Sequence, residues 1–173
     1  MSIDIRPGMI ALLPRLRAFA RALARSSDGA DDLVQATCEK ALHAVDSWTP
    51  GSRLDSWMFR IMQNHWIDTT RRERPQTPID SPAALSAVAH DGERVVEARL
   101  MLGSVGKVIH RMPEEQRSVL VLVCVQDLSY REAAEVLDVP IGTVMSRLAR
   151  ARRSIIEATG PDSQTTRRTG EAG

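Results

Sequence analysis

Between positions 128 and 155 the chain reads LSYREAAEVLDVPIGTVMSRLARARRSI, a run that few folds accommodate. Ser129 followed three residues later by Glu132 is a capping box, which starts a helix ending near Leu137. Asp138, Val139 and Pro140 make a tight break, and a new helix begins around Ile141 to Thr143. In that helix Val144, Leu148, Ala151 and Ile155 share one face and can pack on Ala133, Val136 and Leu137. The opposite side then presents Thr143, Ser146, Arg147 and Arg150, with Arg153 near the end. A short helix, a three-residue break and an anchored second helix bearing Ser and Arg make a helix-turn-helix pattern. The second helix suits the DNA major groove, where Arg bonds guanine edges in bidentate fashion and Ser or Thr reaches bases or phosphates. The competing reading is a solvated basic face on an ordinary helical hairpin.

Helical periods dominate the rest of the chain as well. Leu12, Leu16, Phe19 and Leu23 recur at helical spacing over roughly 9 to 25, with Arg15, Arg17, Arg21 and Arg25 on other faces. SSDGADD breaks that segment, and Asp28, Asp31 and Asp32 put negative charge at the start of a second helix that carries Leu33, Val34, Ala41, Leu42 and Val45 inward. DSWTPGS is a turn-rich loop, and a third helix runs from about Leu54 to the arginines before Pro75. Pro75, Pro78 and Pro82, among Ser, Thr, Asp and Gly, mark a flexible linker with one short helical turn at AALSAVA. Val95 to His110 then reads as a helix, and Pro113, at a first helical position before Glu114 and Glu115, starts another. The β-branched run VLVLVCV lies between helix signals and is assigned to helix, and the polar tail after Thr159 reads as disordered.

At 173 residues, 43% hydrophobic and 26% charged, the chain can bury one modest core or two small ones. It contains no run of eighteen apolar residues, and its N-terminal stretch, cut by Pro7 and Pro14, lacks a small-residue cleavage site. Neither membrane insertion nor secretion is expected, and the expected compartment is the cytoplasm. Cys38 and Cys124 lie far apart in apolar helical patterns and are expected to be buried thiols. The net charge of +1 hides segregation: acids gather at Asp28, Asp31, Asp32 and Glu39 and at Glu114 and Glu115, while Arg71, Arg72, Arg74 and Arg147, Arg150, Arg152, Arg153 form two basic clusters. Two basic clusters suggest two contacts with a polyanion.

The first basic cluster closes a stretch that holds Trp57, Phe59 and Trp66, with Trp48 just upstream, in a chain only 3% aromatic. Duplex readers need few aromatics, whereas proteins that hold unstacked bases use them, at about 1–3 kcal/mol per stacked base. Arg60, Asn64, Ile67 and Arg71 trace an adjacent stripe, part of which must face outward because Asn64 and the arginines are costly to bury unpaired, and Trp48, next to Pro50 and Gly51, is the best placed to be exposed. The alternative is that Trp57, Phe59 and Trp66 are simply core.

Three segments, DDLVQATCEKAL, PGSRLDSWMFRIMQNHWIDTTRRER and MPEEQRSVLVLVCVQDLSYREAAEVLDVPIGTVMSRLARAR, together resemble bacterial RNA polymerase sigma factors of the extracytoplasmic-function (ECF) group. The likeness runs in order over about residues 10 to 158. It implies an all-α fold of two small helical domains on a flexible linker. Residues 1–75 would bind core RNA polymerase and recognise and melt the −10 promoter element, 76–94 would be the linker, 95–158 would read the −35 element, and 159–173 would be a tail. By position, the resemblance gives Asp31, Asp32, Leu33, Val34 and Gln35 to the β′ clamp helices of the polymerase. It gives Trp48, Ser52 and Arg53 to the strand-opening loop, and Asn64, Asp68, Arg71 and Arg72 to the −10 element. Thr143, Ser146, Arg147 and Arg150 fall to the −35 element, and the same domain would contact the β flap. Gln63 stands where many relatives carry a basic residue, and Met62 where a small one is common. An anti-sigma factor is a further implied partner.

Other functions fit less well. A stand-alone helix-turn-helix repressor or activator leaves the tryptophan loop and the arginine-ended third helix unexplained. Catalysis lacks a basis: His43, His65, His90 and His110 are not paired at metal-ligand spacing, and neither a Gly-rich phosphate loop nor a nucleophile motif is visible. No metal and no cofactor is expected.

Overall fold

The computed structural model describes residues 4–24, 26–73 and 96–160, all helices and turns without a strand among them. The helices are α1 (Arg6–Ala24), α2 (Ser27–His43), α3 (Leu54–Glu73), α4 (Val96–Arg111), α5 (Glu114–Leu120), α6 (Tyr130–Leu137) and α7 (Ile141–Thr159). The expected linker, its helical turn at AALSAVA and the expected disordered tail lie outside the described residues.

Each amphipathic face finds a partner. Leu16, Phe19 and Leu23 of α1 are buried against α2 and α3, and Phe19 meets Phe59 of α3 edge to face with ring centroids 5.4 Å apart. Met58 and Met62 of α3 are fully buried beside them. α1 runs through Pro14, which removes one helical hydrogen bond. The residue four positions earlier, Ile10, is 67% exposed, so water can take its place. α2 starts on Ser26, whose hydroxyl accepts from Gly29 N at 3.2 Å; Asp28 lies in its first turn, while Asp31 and Asp32 stand beyond it. Leu33, Val34 and Ala41 face inward as expected, but Leu42 is 44% exposed because α2 buries only a narrow stripe.

In the second half, Pro113 caps α5 from just outside, one position earlier than expected. The VLVLVCV run is helical, yet from Val121 to Val125 the winding widens, and Gln126 N reaches back five residues to Val121 O at 2.9 Å. The wider turn carries Cys124 and Val125 to the surface. Cys124 is therefore exposed and Cys38 half-buried, in place of two buried thiols. The capping box is present in full: Glu132 N donates to Ser129 Oγ at 3.2 Å and Ser129 N to Glu132 Oε2 at 2.7 Å. α6 stops at Asp138, which adopts the left-handed conformation (φ 53°) that turns the chain into α7. Ala133, Val136 and Leu137 then bury against Val144, Leu148 and Ala151, with Ile155 packed alongside.

The two halves pack together, α1 against α5 and α3 against α6. Polar groups secure this interface. The Arg117 guanidinium, from α5, is buried and donates to the carbonyls of Ala22, at the end of α1, and Met112 (2.8 Å). Arg15 of α1 donates to Gln126 twice, at 2.9 Å to Oε1 and 2.8 Å to the carbonyl, and to Asp55 Oδ2 at 2.7 Å. Its guanidinium also lies 5.7 Å from the centre of the Phe59 ring. Trp66 Nε1 of α3 donates to Glu114 Oε1 at 2.9 Å.

Asp55, 7% exposed, sits at the middle of this network. Burial alone would push its carboxyl up, but hydrogen bonds from Arg53, the Ser56 N–H and Arg15, with the Arg53 charge, outweigh that and hold it at about 2. The folded pKa lies below the unfolded one, so this stabilisation is complete above about pH 4 and disappears as pH falls toward 2. Asp55→Asn should therefore cost on the order of 1–2 kcal/mol at pH 7 by urea denaturation, the gap to wild type closing near pH 2. A gap that stays constant from pH 7 to 2.5 would mean that the Asp55 charge contributes nothing to folding.

Candidate nucleic-acid and polymerase interface

α3 buries Met58, Phe59 and Met62 on one side, which forces Arg60, Asn64, Asp68 and Arg71 onto the other, at positions four, four and three apart. All four are exposed, as is Arg72. His65, between two of them, is pushed below the ordinary imidazole value first by burial and then by the Lys40 charge, so it adds no positive charge to this stripe at neutral pH.

The loop before α3 is a tight turn, Thr49-Pro50-Gly51-Ser52. Ser52 N donates to Thr49 O at 3.0 Å and Gly51 takes φ +85°, the arrangement of a type II turn with Pro second and Gly third. Ser52 is exposed, and its hydroxyl also donates to Thr49 O, at 2.6 Å. Trp48 departs from expectation: it is half-buried against the core, and its indole Nε1 is buried without a hydrogen-bond partner. Trp57 and Trp66 are likewise half-buried and Phe59 is fully so, which makes the aromatic group a wall behind the basic stripe. Gln63, where the resemblance leads to the expectation of a basic residue, is 8% exposed and buried with Met62.

Arg53, 43% exposed at its side chain, is committed in two directions. Its Nε and Nη2 donate to Asp55 at 3.0 and 2.7 Å, and its Nη1 to Glu132 Oε1 of α6 at 2.8 Å. Asp55 and Glu132 raise its pKa further above the arginine range, so it is charged at every relevant pH.

On α2 the residues assigned to a polymerase contact divide. Asp31, Asp32 and Gln35 are exposed, with Gln35 Nε2 donating to Glu39 Oε1 at 3.1 Å. Leu33 and Val34 are only 5% exposed and belong to the core, so they position this acidic face and do not form part of it. Helical geometry dictates the split: at about 100° per residue, Asp31, Gln35 and Asp32 fall within one arc of about 100°, and Leu33 and Val34 fall in the opposite arc, which is buried.

On α7, Ser146 and Arg150 are exposed, and Thr143 is half-buried. Arg147 is half-buried as well, its side chain 21% exposed and its Nη2 3.4 Å from Glu115 Oε2. Glu115 is itself largely exposed, so this pair contributes about 0–1 kcal/mol and releases Arg147 readily. Thus one group of exposed basic residues lies on α3 and another on α7. Sequence reasoning has no signal for Arg15, Asp55, Arg117 and Gln126, whose partners lie in distant segments, and it recognises Glu132 only as a helix cap. Among the described residues no group of three or more His, Cys, Asp or Glu side chains is placed to hold a metal ion, and no helix is long and apolar enough to cross a membrane.

Comparison with known proteins identifies two known modules in the chain. Residues 102–155 match the family model for sigma-70 region 4, and residues 9–63 match that for the Sigma2 domain of PhyR. The chain is 35% identical over 153 residues to the ECF RNA polymerase sigma factor EcfG of Rhodopseudomonas palustris, covering 88% of this chain and 83% of that one. It is 29% identical over 136 residues to the ECF RNA polymerase sigma factor SigW of Bacillus subtilis, covering 73% of each. Among solved structures it resembles the sigma factor RpoE of Bartonella quintana in complex with the anti-sigma factor NepR. There the TM-score is 0.72 at 30% identity, over 92% of this chain and 98% of that one. CnrH in complex with the cytosolic domain of CnrY gives a TM-score of 0.58 at 28% identity, over 88% and 87%. Two helical modules in this order, at this identity and over this share of the chain, make it a member of the ECF RNA polymerase sigma factor family.

Proposed function

We propose that the two basic faces divide promoter recognition between them, with Asn64, Asp68, Arg71, Arg72 and the loop residues Trp48, Ser52 and Arg53 at the −10 element, and Thr143, Ser146, Arg147 and Arg150 at the −35 element. The observation that carries this is the pair of outward basic surfaces on separate helical modules of a sigma factor, one backed by aromatic rings and the other on a helix-turn-helix. Residues 1–75 form the first module and 95–158 the second, with 76–94 between them and 159–173 beyond. The acidic face of α2, Asp31, Asp32 and Gln35, meets the β′ clamp helices of core RNA polymerase, and the second module meets the β flap.

Small basic footprints bind weakly and lose affinity with salt, so each module alone selects poorly. Held together by the polymerase, the two recognitions combine as one bivalent interaction. The chain acts without catalysis, cofactor or metal, works in the cytoplasm and is not inserted in a membrane. An anti-sigma factor is a further partner, as NepR is for the Bartonella protein.

Runoff transcription from a promoter library, with core RNA polymerase and with or without this protein, tests the reading. Protein-dependent transcripts are expected, starting at a fixed distance from a shared two-part sequence. A footprint on duplex DNA by the protein alone, without transcripts, would favour a stand-alone repressor or activator. Arg147→Ala should lower use of a promoter with an intact −35 element about tenfold, within the 1–3 kcal/mol of one bidentate base contact, while core binding is unchanged. Equal losses on promoters with a scrambled −35 element would remove Arg147 from base reading. Asp32→Ala should weaken core binding about two- to fivefold, the scale of one exposed ion pair, as measured by competition for core polymerase. Unchanged affinity would show that α2 presents another face.

A further inference from the structure

Several features stand outside the promoter faces: the exposed apolar residues Ile10, Val125, Met145 and Ile156, the free Cys124, and the polar contacts that join the two halves. Only the last involve a residue assigned to DNA. We propose that Glu132 stands in for a DNA phosphate at Arg53, latching the two modules into a closed form that promoter engagement must open. This rests on the reading of Arg53 as a promoter-loop residue.

The geometry supports it in three ways. First, Arg53 Nη1 donates to Glu132 Oε1 at 2.8 Å, a charge-assisted bond to an anionic oxygen of the kind a phosphate would accept. The N–H that serves Glu132 reaches a phosphate only when Glu132 leaves, and while it stays the carboxylate repels a phosphate approaching the second Nη1 hydrogen. Second, Glu132 is held ready for it. Its other oxygen, Oε2, accepts from Ser129 N at 2.7 Å as part of the capping box. One carboxylate thus caps α6 and reaches across the interface, an oxygen for each. The Ser129 N–H and hydroxyl, then Arg53, keep it below the ordinary carboxylate range, so it is anionic throughout the neutral range. Third, the latch is exposed enough to exchange and anchored enough to persist. The Arg53 and Glu132 side chains are 43% and 27% exposed, whereas behind them Asp55 joins Arg53 to Arg15, and Arg15 holds the buried Gln126 through two donated bonds. Gln126 Nε2 returns a bond to Arg15 O at 3.3 Å. Water and ions can compete for the outer pair, but opening the interface must also break the inner one.

The two variants that test this leave the promoter residues intact. Glu132→Gln keeps a capping-box acceptor but has one oxygen where the carboxylate has two and carries no charge, so it cannot serve α6 and Arg53 together. Gln126→Ala removes the two side-chain bonds of the inner contact, Arg15 Nε to Oε1 and Nε2 to Arg15 O, and leaves only the bond from Arg15 to the backbone carbonyl. In the full chain, with Cys38 and Cys124 replaced by Ser, dyes on Ile10→Cys and Ile156→Cys report the separation of the modules by energy transfer. The wild type should give one high-transfer population, which both variants shift toward low transfer. In runoff assays with core polymerase, the protein concentration for half-maximal transcription should fall about three- to tenfold in both. A low-transfer wild type, or variants that match it in transfer, would overturn the latch. Opening with no change in the half-maximal concentration would overturn its restraint on promoter use. Absence of core-dependent transcripts from every protein would instead overturn the promoter reading, and with it the phosphate-mimic role of Glu132, while the dyes still report closure independently.

Discussion

A carboxylate as buried as that of Asp55 stays charged only because two arginines from different segments face it, Arg53 from the loop and Arg15 from α1. Removing either would weaken that compensation, and removing both would leave an unpaired charge in a poorly solvated site, the costly half of any buried ion pair. The pairing fixes where the start of α3 sits against α1. Through Arg15 and Gln126 it also fixes where the second module sits against the first. The apolar core gives most of the stabilisation, but apolar contact is not directional. The orientation of one module against the other is set by this chain of polar bonds.

The helix-turn-helix is legible in the sequence because its signals are local. Ser129 and Glu132 are three residues apart, the break is three residues long, and the buried positions of α7 repeat at helical spacing. The same holds for α3, where alternation between buried Met58, Phe59 and Met62 and exposed Arg60 and Asn64 follows from period alone. Family resemblance extends this to two modules and to named faces, and the comparisons with EcfG and the Bartonella factor agree with the family, while the faces rest on position in its pattern.

The features that escape sequence reading depend on partners distant in the chain. Arg117 belongs to a residue type that is mostly exposed, yet it is buried, and carbonyls of Ala22 and Met112 accept from it. Leu33 and Val34 fall to a polymerase contact by position in a family pattern, which records that a segment matters without saying which way each side chain turns. Trp48 is expected in solvent because Pro50 and Gly51 predict a loop. They do make one, but a turn predicts backbone shape and not the burial of a ring beside it.

The widened winding at Val121–Val125 controls the direction of the chain beyond it. An α-helix advances about 100° per residue, so one residue more or fewer here would swing Gln126 away from Arg15 and re-aim α6 and α7 together. Apolar substitutions within VLVCV alter packing by small increments; an insertion or deletion would leave Thr143, Ser146, Arg147 and Arg150 in the sequence and point them elsewhere. The segment therefore acts as a spacer whose information lies in its residue count more than in its chemistry.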